Sequence, residues 1–321
     1  MVTGGAGYIG AHVVRALADA GIEPIVYDDL SSGIEAFVPD EVPFVRATVL
    51  DTAALSQALL YHGVTGVIHC AGFKYAGESV ARPLHTYRQN VDGTVSLLEA
   101  MSDANVTRLV FSSSAGVYGT PEEELVTEAT PTTPESPYGE SKLVAEWAIR
   151  DQVRATEDGP APLTATSLRY FNVVGSSYPD VYDASPHNLL PRVFFALARG
   201  DAPTINGDDY PTPDGTCVRD YVHVGDLALA HATNALALEE GRRLDEVYNL
   251  GSGEGSSVRQ IMDAVVAATE TTLRPVVGAR RPGDPARIVA DGTAAARDLG
   301  WEMRHSIEDM VSSAWASHPK G

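Results

Sequence analysis

The stretch Val2–Leu17, VTGGAGYIGAHVVRAL, decides the fold of this chain. Its apolar start runs into Gly4, Gly7 and Gly10, spaced G-x-x-G-x-x-G, and the apolar positions that follow recur at helical spacing. The pattern reads as a strand, a tight turn and a helix. Glycines at such a turn let the backbone come close to a pyrophosphate. The helix start adds free N–H groups and the positive end of its dipole. Few residues precede Thr3, so either the start of the chain lies further upstream or the first strand is short.

Working outward, the next apolar run is PIVYDD (Pro24–Asp29), which ends in the acidic pair Asp28 and Asp29. A carboxylate there can accept a hydrogen bond from a ribose hydroxyl and would repel a 2′-phosphate, which favours NAD over NADP. Further strand-like runs are GVIHCAG (66–72), RLVFSSS (108–114) and ATSLRYF (165–171). Helical patterns lie between them at 11–20, 51–62, 90–104 and 139–155. Short apolar strands alternating with amphipathic helices imply an α/β fold, a doubly wound parallel sheet covered on both faces. Residues 1–171 are therefore read as a Rossmann-type NAD-binding domain. Residues 172–321 are read as a smaller mixed α/β lobe, with segments near 217–235 packing back on the first domain. In that lobe 176–187 and 206–216 are rich in Pro, Asp and Gly and read as ordered loops. Helices are expected at 188–200, 225–240, 257–270 and 306–318.

Composition narrows the function. A length of 321 residues allows about two domains, and 44% apolar residues suffice for a packed core. The net charge of −20 argues against a nucleic-acid partner, because phosphate backbones would repel the chain. A polyanionic ligand would need local arginines, since the lysines number only three (Lys74, Lys142, Lys320). Two distant cysteines, Cys70 and Cys217, form no disulfide framework or zinc motif, which fits a reducing cytoplasm. No apolar run reaches the ~20 residues of a membrane span, and no leader pattern is expected ahead of the glycine loop.

Chemistry is suggested by three side chains. FSSSAGVYG places Ser114 at a strand end, and SPYGESK places Tyr138 and Lys142 one helical turn apart. A free tyrosine, with a pKa near ~10, is a poor base. A neighbouring ammonium is expected to lower that pKa and favour the phenolate. Ser114 can then hold the hydroxyl that exchanges the proton.

With these residues the chain resembles the extended short-chain dehydrogenase/reductase superfamily, and within it the UDP-galactose (UDP-glucose) 4-epimerases. The stretches that carry the resemblance include VTGGAGYIG (2–10), NVDGT (90–94), FSSSAGVYG (111–119), SPYGESK (136–142), LRYFNVVG (168–175), DYPTPDGTCVRDYVHV (209–224), YNLGSG (248–253) and RRPGD (280–284), spread from end to end. Sugar-nucleotide 4,6-dehydratases of that superfamily carry an acid just after the serine position. Ala115 and Gly116 stand there in this chain, which favours simple C4 epimerisation.

The resemblance implies NAD that stays bound through the cycle. It places NAD contacts at Gly4, Gly7, Tyr8, Ile9, Gly10, Asp28, Asp29, Ser32, Gly33, Thr48, Val49, Cys70, Ala71, Gly72, Lys74, Asn90, Ser112, Tyr138, Lys142 and Phe171. Tyr138, with Ser114, would take the C4 hydroxyl proton while the C4 hydride passes to the nicotinamide. The 4-keto sugar would then swing about its pyrophosphate link and take the hydride back on its other face. Lys142 would hold the nicotinamide ribose. On the UDP-sugar side the resemblance implies Ser114, Tyr138, Asn172, Asn188, Leu189, Thr204, Ile205, Asn206, Arg219, Arg281, Asp284 and Ile288, with the two arginines on the diphosphate and Asp284 on the uridine ribose. Thr48 stands where relatives usually carry an Asp facing adenine, and Asn206 where some carry an aromatic. Ile288 stands where a bulky Tyr restricts some relatives to glucose and galactose, so N-acetyl sugars are expected to be accepted as well. The helices after Arg82 and Ser136 resemble those that pair in homodimers.

Other residues have plainer readings. Cys70 is taken as a small, unreactive core residue at a strand end, His69 and His223 as core histidines rather than metal ligands, and Asp208–Asp209 as loop chemistry. No metal is expected. The alternatives are a 4-epimerase of another UDP-sugar (N-acetylhexosamine, uronate or pentose) and a non-catalytic NAD sensor, which would have no need of Ser114, Tyr138 and Lys142 together.

Overall fold

Short strands buried on both faces need helices on both sides, and the chain supplies them in alternation. The structure, a computed structural model, describes residues 1–280 and 285–319. In order it runs β1 (Val2–Thr3), α1 (Tyr8–Asp19), β2 (Val26–Asp28), β3 (Phe44–Arg46), α2 (Thr52–Tyr61), β4 (Val67–His69), α3 (Ala76–Ala81), α4 (Pro83–Tyr87), α5 (Gly93–Asp103), β5 (Arg108–Ser112), β6 (Leu125–Val126), α6 (Pro137–Thr156) and β7 (Thr164–Tyr170). There follow β8 (Asn172–Val174), α7 (Leu189–Ala198), β9 (Thr204–Asn206), β10 (Val218–Arg219), β11 (Tyr221–His223), α8 (Val224–Glu239), β12 (Val247–Leu250), β13 (Ser256–Ser257), α9 (Val258–Thr269), β14 (Val276–Gly278), β15 (Arg287–Ala290), α10 (Thr293–Leu299) and α11 (Ile307–Ser317).

Seven strands form one sheet in the order β12-β7-β5-β4-β1-β2-β3, and every pairing in it is parallel. The expected doubly wound sheet is thus present. The chain leaves β1 toward β2 and β3, then crosses to β4 on the other side, so the winding reverses between β1 and β4. A doubly wound sheet opens its ligand crevice at that switch point, beyond the strand carboxyl ends. β1 is only Val2–Thr3, yet it is paired on both sides, Val2 with Val26 and Ile68 and Thr3 with Tyr27 and His69.

One face of the sheet packs Val2, Val26, Ile68 and Val110 against Val13, Val14 and Leu17 of α1 and Leu227 of α8. The other packs Tyr27, Val67, Leu109 and Phe111 against Leu55 and Leu59 of α2, Leu97 and Met101 of α5 and Ile149 of α6. The helix expected over 90–104 is shorter at its start: a π-helical turn, Arg88–Asp92, precedes α5, and Asn90 is buried within it.

Residue 171 lies where the first sheet hands over to the second unit, and the exchange runs both ways. α8 returns to pack on α1 and β12 returns to pair with β7, while β6 leaves the first half of the chain to pair with β15. The second unit holds a four-stranded sheet, β13-β10-β15-β6, and the pairs β11-β8 and β14-β9. Its core joins Leu190, Val193 and Phe194 of α7 to Ile261, Met262 and Val265 of α9 and to Met310 and Val311 of α11.

Four histidines sit inside these cores, each no more than 1% exposed: His12, His69, His223 and His231. His69 bonds Thr3 Oγ1 at 2.6 Å and Thr94 Oγ1 at 3.3 Å. His223 Nδ1 accepts from Gly225 N at 3.0 Å and its Nε2 meets Ser313 Oγ at 3.2 Å. Burial lowers the pKa to about 4 for His12 and His231 and to about 3 for His69 and His223. The unfolded chain protonates these rings near ~6.5 and the folded chain does not, so the stability they contribute is full above ~6.5 and is lost as pH falls toward the folded values. Between pH ~6.5 and ~4 each should cost about 1.4 kcal/mol per pH unit. The urea midpoint should therefore fall steeply over that window, and a flat midpoint from pH 6.5 to 5 would show that the rings titrate normally.

Candidate active site

The crevice at the switch point is a cleft of about 1440 Å³ between the two units. Its floor is the glycine loop. Gly4 has φ +71°, and a Cβ on Gly10 would lie 2.1 Å from the Gly4 carbonyl oxygen, so neither position admits a side chain. Gly7 caps α1 without any side-chain bond to the first-turn N–H groups. Asp28, at the end of β2, accepts from Ala6 N at 3.0 Å and from Leu30 N at 2.8 Å. Burial raises its pKa, against the pull of those two bonds. Asp29 folds back on itself, accepting from Ser31 N at 2.8 Å.

Tyr138 and Lys142 come from the first turns of α6. That helix is started by Ser136, which accepts from Gly139 N at 3.2 Å, with Pro137 in the first turn. Ser114, just beyond β5, is hydrogen-bonded to Tyr138 and accepts from Gly116 N at 3.0 Å. The three expected residues are thus assembled.

Their electrostatics differ from the expectation. Burial raises the Tyr138 pKa, and the Ser114 bond opposes this. The Lys142 ammonium donates to the Ser112 carbonyl at 2.8 Å and lies 4.7 Å from the centre of the Phe111 ring. Its charge is directed at the end of β5 rather than at the phenol, and burial brings its own pKa down to about 8.

Most of the other expected residues line the same cleft: Gly4, Gly7, Tyr8, Ile9, Gly10, Asp28, Asp29, Ser32, Gly33, Val49, Cys70, Ala71, Gly72, Lys74, Phe171, Asn172, Asn188, Leu189, Thr204, Asn206 and Arg219. Others stand behind its wall. Asn90 accepts from Phe73 N at 2.6 Å and donates to Phe73 O at 3.0 Å and Ser141 Oγ at 2.8 Å, so it pins the loop after β4 to α6. Ser112 Oγ is taken by His231 at 2.7 Å. Thr48 presents its carbonyl to the Tyr27 hydroxyl at 3.0 Å. Ile205 is a core residue of the second unit. Ile288 packs with Ala115 and Phe171 on the cluster of Val117, Tyr118, Val126 and Leu143, one layer behind the cleft residue Phe171. Cys70 Sγ meets Ser112 Oγ at 3.2 Å, and burial raises the thiol to about 11. Asp209 is paired with Arg280. Arg281 and Asp284 lie outside the described residues. Among the described residues no group of three His, Cys, Asp or Glu side chains could hold a metal ion.

The sequence reading missed several cleft residues. Asp183 is half-buried near Lys74 and accepts from Asn188 Nδ2 at 2.7 Å. His187 meets Glu78 at 2.7 Å, bridging from the start of α7 to α3. Tyr170 packs near Tyr138 and Cys70. All of these lie in segments read as loop or strand, and only their meeting partners give them a role. α1 also reaches across. Along its face Tyr8 donates to Gly175 O at 2.5 Å, His12 bonds Ser176 and Ser177, Arg15 pairs with Asp180, and Asp19 accepts from Tyr178.

Comparison with known proteins agrees with this geometry. The family model for the NAD dependent epimerase/dehydratase family matches residues 1–251. The UDP-glucose 4-epimerase of Streptomyces lividans is 42% identical, over 100% of this chain and 97% of that protein. The crystal structure of UDP-glucose 4-epimerase from Brucella ovis in complex with NAD superimposes with a TM-score of 0.92 at 37% identity, covering 98% of this chain and 97% of that one. The UDP-glucose 4-epimerase of Bifidobacterium longum, solved with NAD+ and UDP, gives a TM-score of 0.85 at 37% identity, covering 98% and 96%.

Asn90 is the residue whose loss should loosen the cleft wall most directly. Asn90→Ala orphans the Phe73 N–H and carbonyl and frees Ser141, which should cost about 1–3 kcal/mol in urea unfolding and speed hydrogen exchange at the Phe73 amide. Unchanged exchange there would mean that the loop is held by something else.

Proposed function

The chain belongs to the NAD dependent epimerase/dehydratase family, and we propose that it inverts C4 of UDP-galactose and UDP-glucose through a 4-keto sugar. The observation that carries this reading is the Ser114–Tyr138–Lys142 group beside a glycine cradle, in a cleft whose far wall presents Arg219.

The residues present fit NAD. The floor at Gly4 and Gly10 is closed to any Cβ, so backbone alone meets the ligand there, and the uncapped start of α1 suits a pyrophosphate. Asp28 at the end of β2 and Asp29 just after it are assigned to the adenosine ribose, and Lys142 and Tyr138 to the nicotinamide end. When bound, NAD supplies a hydride acceptor and the positive charge of its pyridinium ring. The rest is done by the chain. Tyr138 Oη takes the C4 hydroxyl proton and later returns it. Ser114 Oγ donates to the oxygen that carries the charge. Because burial makes Tyr138 hold its proton more tightly, Ser114 and the local cations must favour the phenolate.

Inversion requires the sugar to present both faces, so the diphosphate must be held firmly and the hexose loosely. Arg219 and, by resemblance, Arg281 serve the diphosphate, since guanidinium forks match phosphate oxygens. Asn172, Asn188, Leu189 and Thr204–Asn206 are assigned to the sugar and uridine, Asp284 to the uridine ribose, and Ile288 to the wall near the hexose 2-position. A homodimer is supported by Leu84, Val95 and Trp147, apolar side chains exposed on α4, α5 and α6. No helix among the described residues is long and apolar enough to cross a membrane. Cys70 and Cys217 stand as thiols rather than in a disulfide, which supports a cytoplasmic site of action.

Purified protein given UDP-galactose and no added NAD should form UDP-glucose, read by NMR, with no accumulation of reduced cofactor. A net redox product would remove the epimerase reading. Tyr138→Phe should lose at least about a hundredfold in kcat with unchanged unfolding and bound NAD. Retention of more than a tenth of the activity would mean that Tyr138 is not the base.

A further inference from the structure

Helix α6 carries another charged side chain on the face that holds Tyr138 and Lys142. Glu146 lies one turn beyond Lys142, inside the fold, at 6% exposure. Arg169, from β7 and 5% exposed, grips it as a fork: Nε donates to Oε1 at 2.9 Å and Nη2 to Oε2 at 2.5 Å. The Ser113 hydroxyl donates to Oε1 as well. Nη1 of Arg169 donates to the Tyr118 hydroxyl at 2.9 Å, which in turn donates to Asn249 Oδ1 at 2.7 Å on β12. The serine run at the end of β5 thus engages successive turns of one helix. Ser114 meets Tyr138, the Ser112 carbonyl meets Lys142 and the Ser113 hydroxyl meets Glu146.

Stability alone is a weak reason for such a pair, because desolvating two charges offsets most of their attraction and apolar replacements often do as well. The placement points elsewhere. We propose that Glu146, locked by Arg169, is a positioning residue for the reaction: it seats Ser114 and Lys142 and keeps Lys142 charged at the pH where Tyr138 works. This rests on the C4-epimerase reading of that group. Near Lys142 stand Tyr138 and Glu146, a turn away in either direction on its own helix, His69 at the end of β4 and Cys70 just after it. Burial keeps His69, at about 3, and Cys70, at about 11, neutral and pushes the Tyr138 phenol up as well. Glu146 is therefore the anion that faces the ammonium, and Arg169 stands behind it.

The chain contains only three lysines, Lys74, Lys142 and Lys320, so ε-13C-lysine labelling of the NAD-saturated protein gives three signals. The Lys142 signal is the one absent from Lys142→Met. Glu146→Gln keeps the shape, removes the anion and leaves Arg169 uncompensated. The Lys142 titration midpoint should fall by about one pH unit. The upper limb of the kcat–pH profile should fall with it, while KM for UDP-galactose stays within about twofold. Adding Arg169→Gln removes the stranded cation and should recover part of the shift. If Glu146→Gln does not fold, Glu146→Asp withdraws the charge by one methylene and should lower the midpoint by about half a unit. An unchanged Lys142 midpoint in the folded variant, or a double variant shifted further than the single, overturns the proposal and leaves the pair a purely structural tie. The titration needs no turnover, so a parent protein inert toward UDP-galactose removes the functional reading and leaves this measurement standing.

Discussion

The site depends on the seam between α6 and the carboxyl end of β5. A helix laid against a sheet can slide by a turn at little cost in apolar contact, because leucines and valines pack without direction. Hydrogen bonds do have direction. Here the end of β5 offers a carbonyl and hydroxyls in consecutive residues, and α6 answers with an ammonium, a phenol and a carboxylate at intervals of one turn. A slip by one turn would leave a buried ammonium or carboxylate unpaired, which is far costlier than lost packing. The register of the helix on the sheet is therefore fixed in part by Tyr138 and Lys142, which line the cleft, and in part by Glu146 inside the fold.

A second constraint joins the two walls of the cleft. α1 begins at the glycine loop, so its position sets that of the first-turn N–H groups. Its side chains hold Gly175 to Asp180, the start of the loop that leads to Asn188. From the far end of that loop His187 reaches Glu78 on α3. The loop is thus tied at one end to the helix of the glycine cradle and at the other to the segment after β4. Movement of either wall is felt by the other through short, directional contacts.

Charge sharpens the picture. A chain of net charge −20 repels anions at long range, so a nucleotide-sugar must be met by cations placed locally. Lys74, Lys142, Arg192, Arg199 and Arg219 all line the cleft. Two of the chain's three lysines are therefore spent there. Burial brings Lys142 down to about 8, so its charge leans on Glu146 beside it, while Lys74 is exposed and has Asp183 and Asp28 nearby to favour its charge. Acidic residues inside the cleft wall thus support positive charge at its surface.

The sequence by itself determined the parallel sheet, the glycine cradle, Asp28 at the end of β2, and Ser114, Tyr138 and Lys142 as one group. Most of these are local: a periodicity, a glycine spacing or the Tyr138–Lys142 i, i+4 pair is set by backbone geometry within a few residues, while Ser114 joins that pair through the resemblance. Tertiary structure decided the rest. That β12 returns to pair with β7 follows from which edge of the first sheet remains open, which no single segment encodes. Lys142 turns to the Ser112 carbonyl rather than to the phenol because β5 delivers that oxygen, and Tyr138 is made more basic by burial that its own sequence neighbourhood does not reveal. Asp183, His187 and the Glu146–Arg169 pair carried no motif. Their roles come from partners between 5 and 109 residues away in the chain, and long-range pairing of polar groups is settled only when the packed core has fixed which of them share a dry interior.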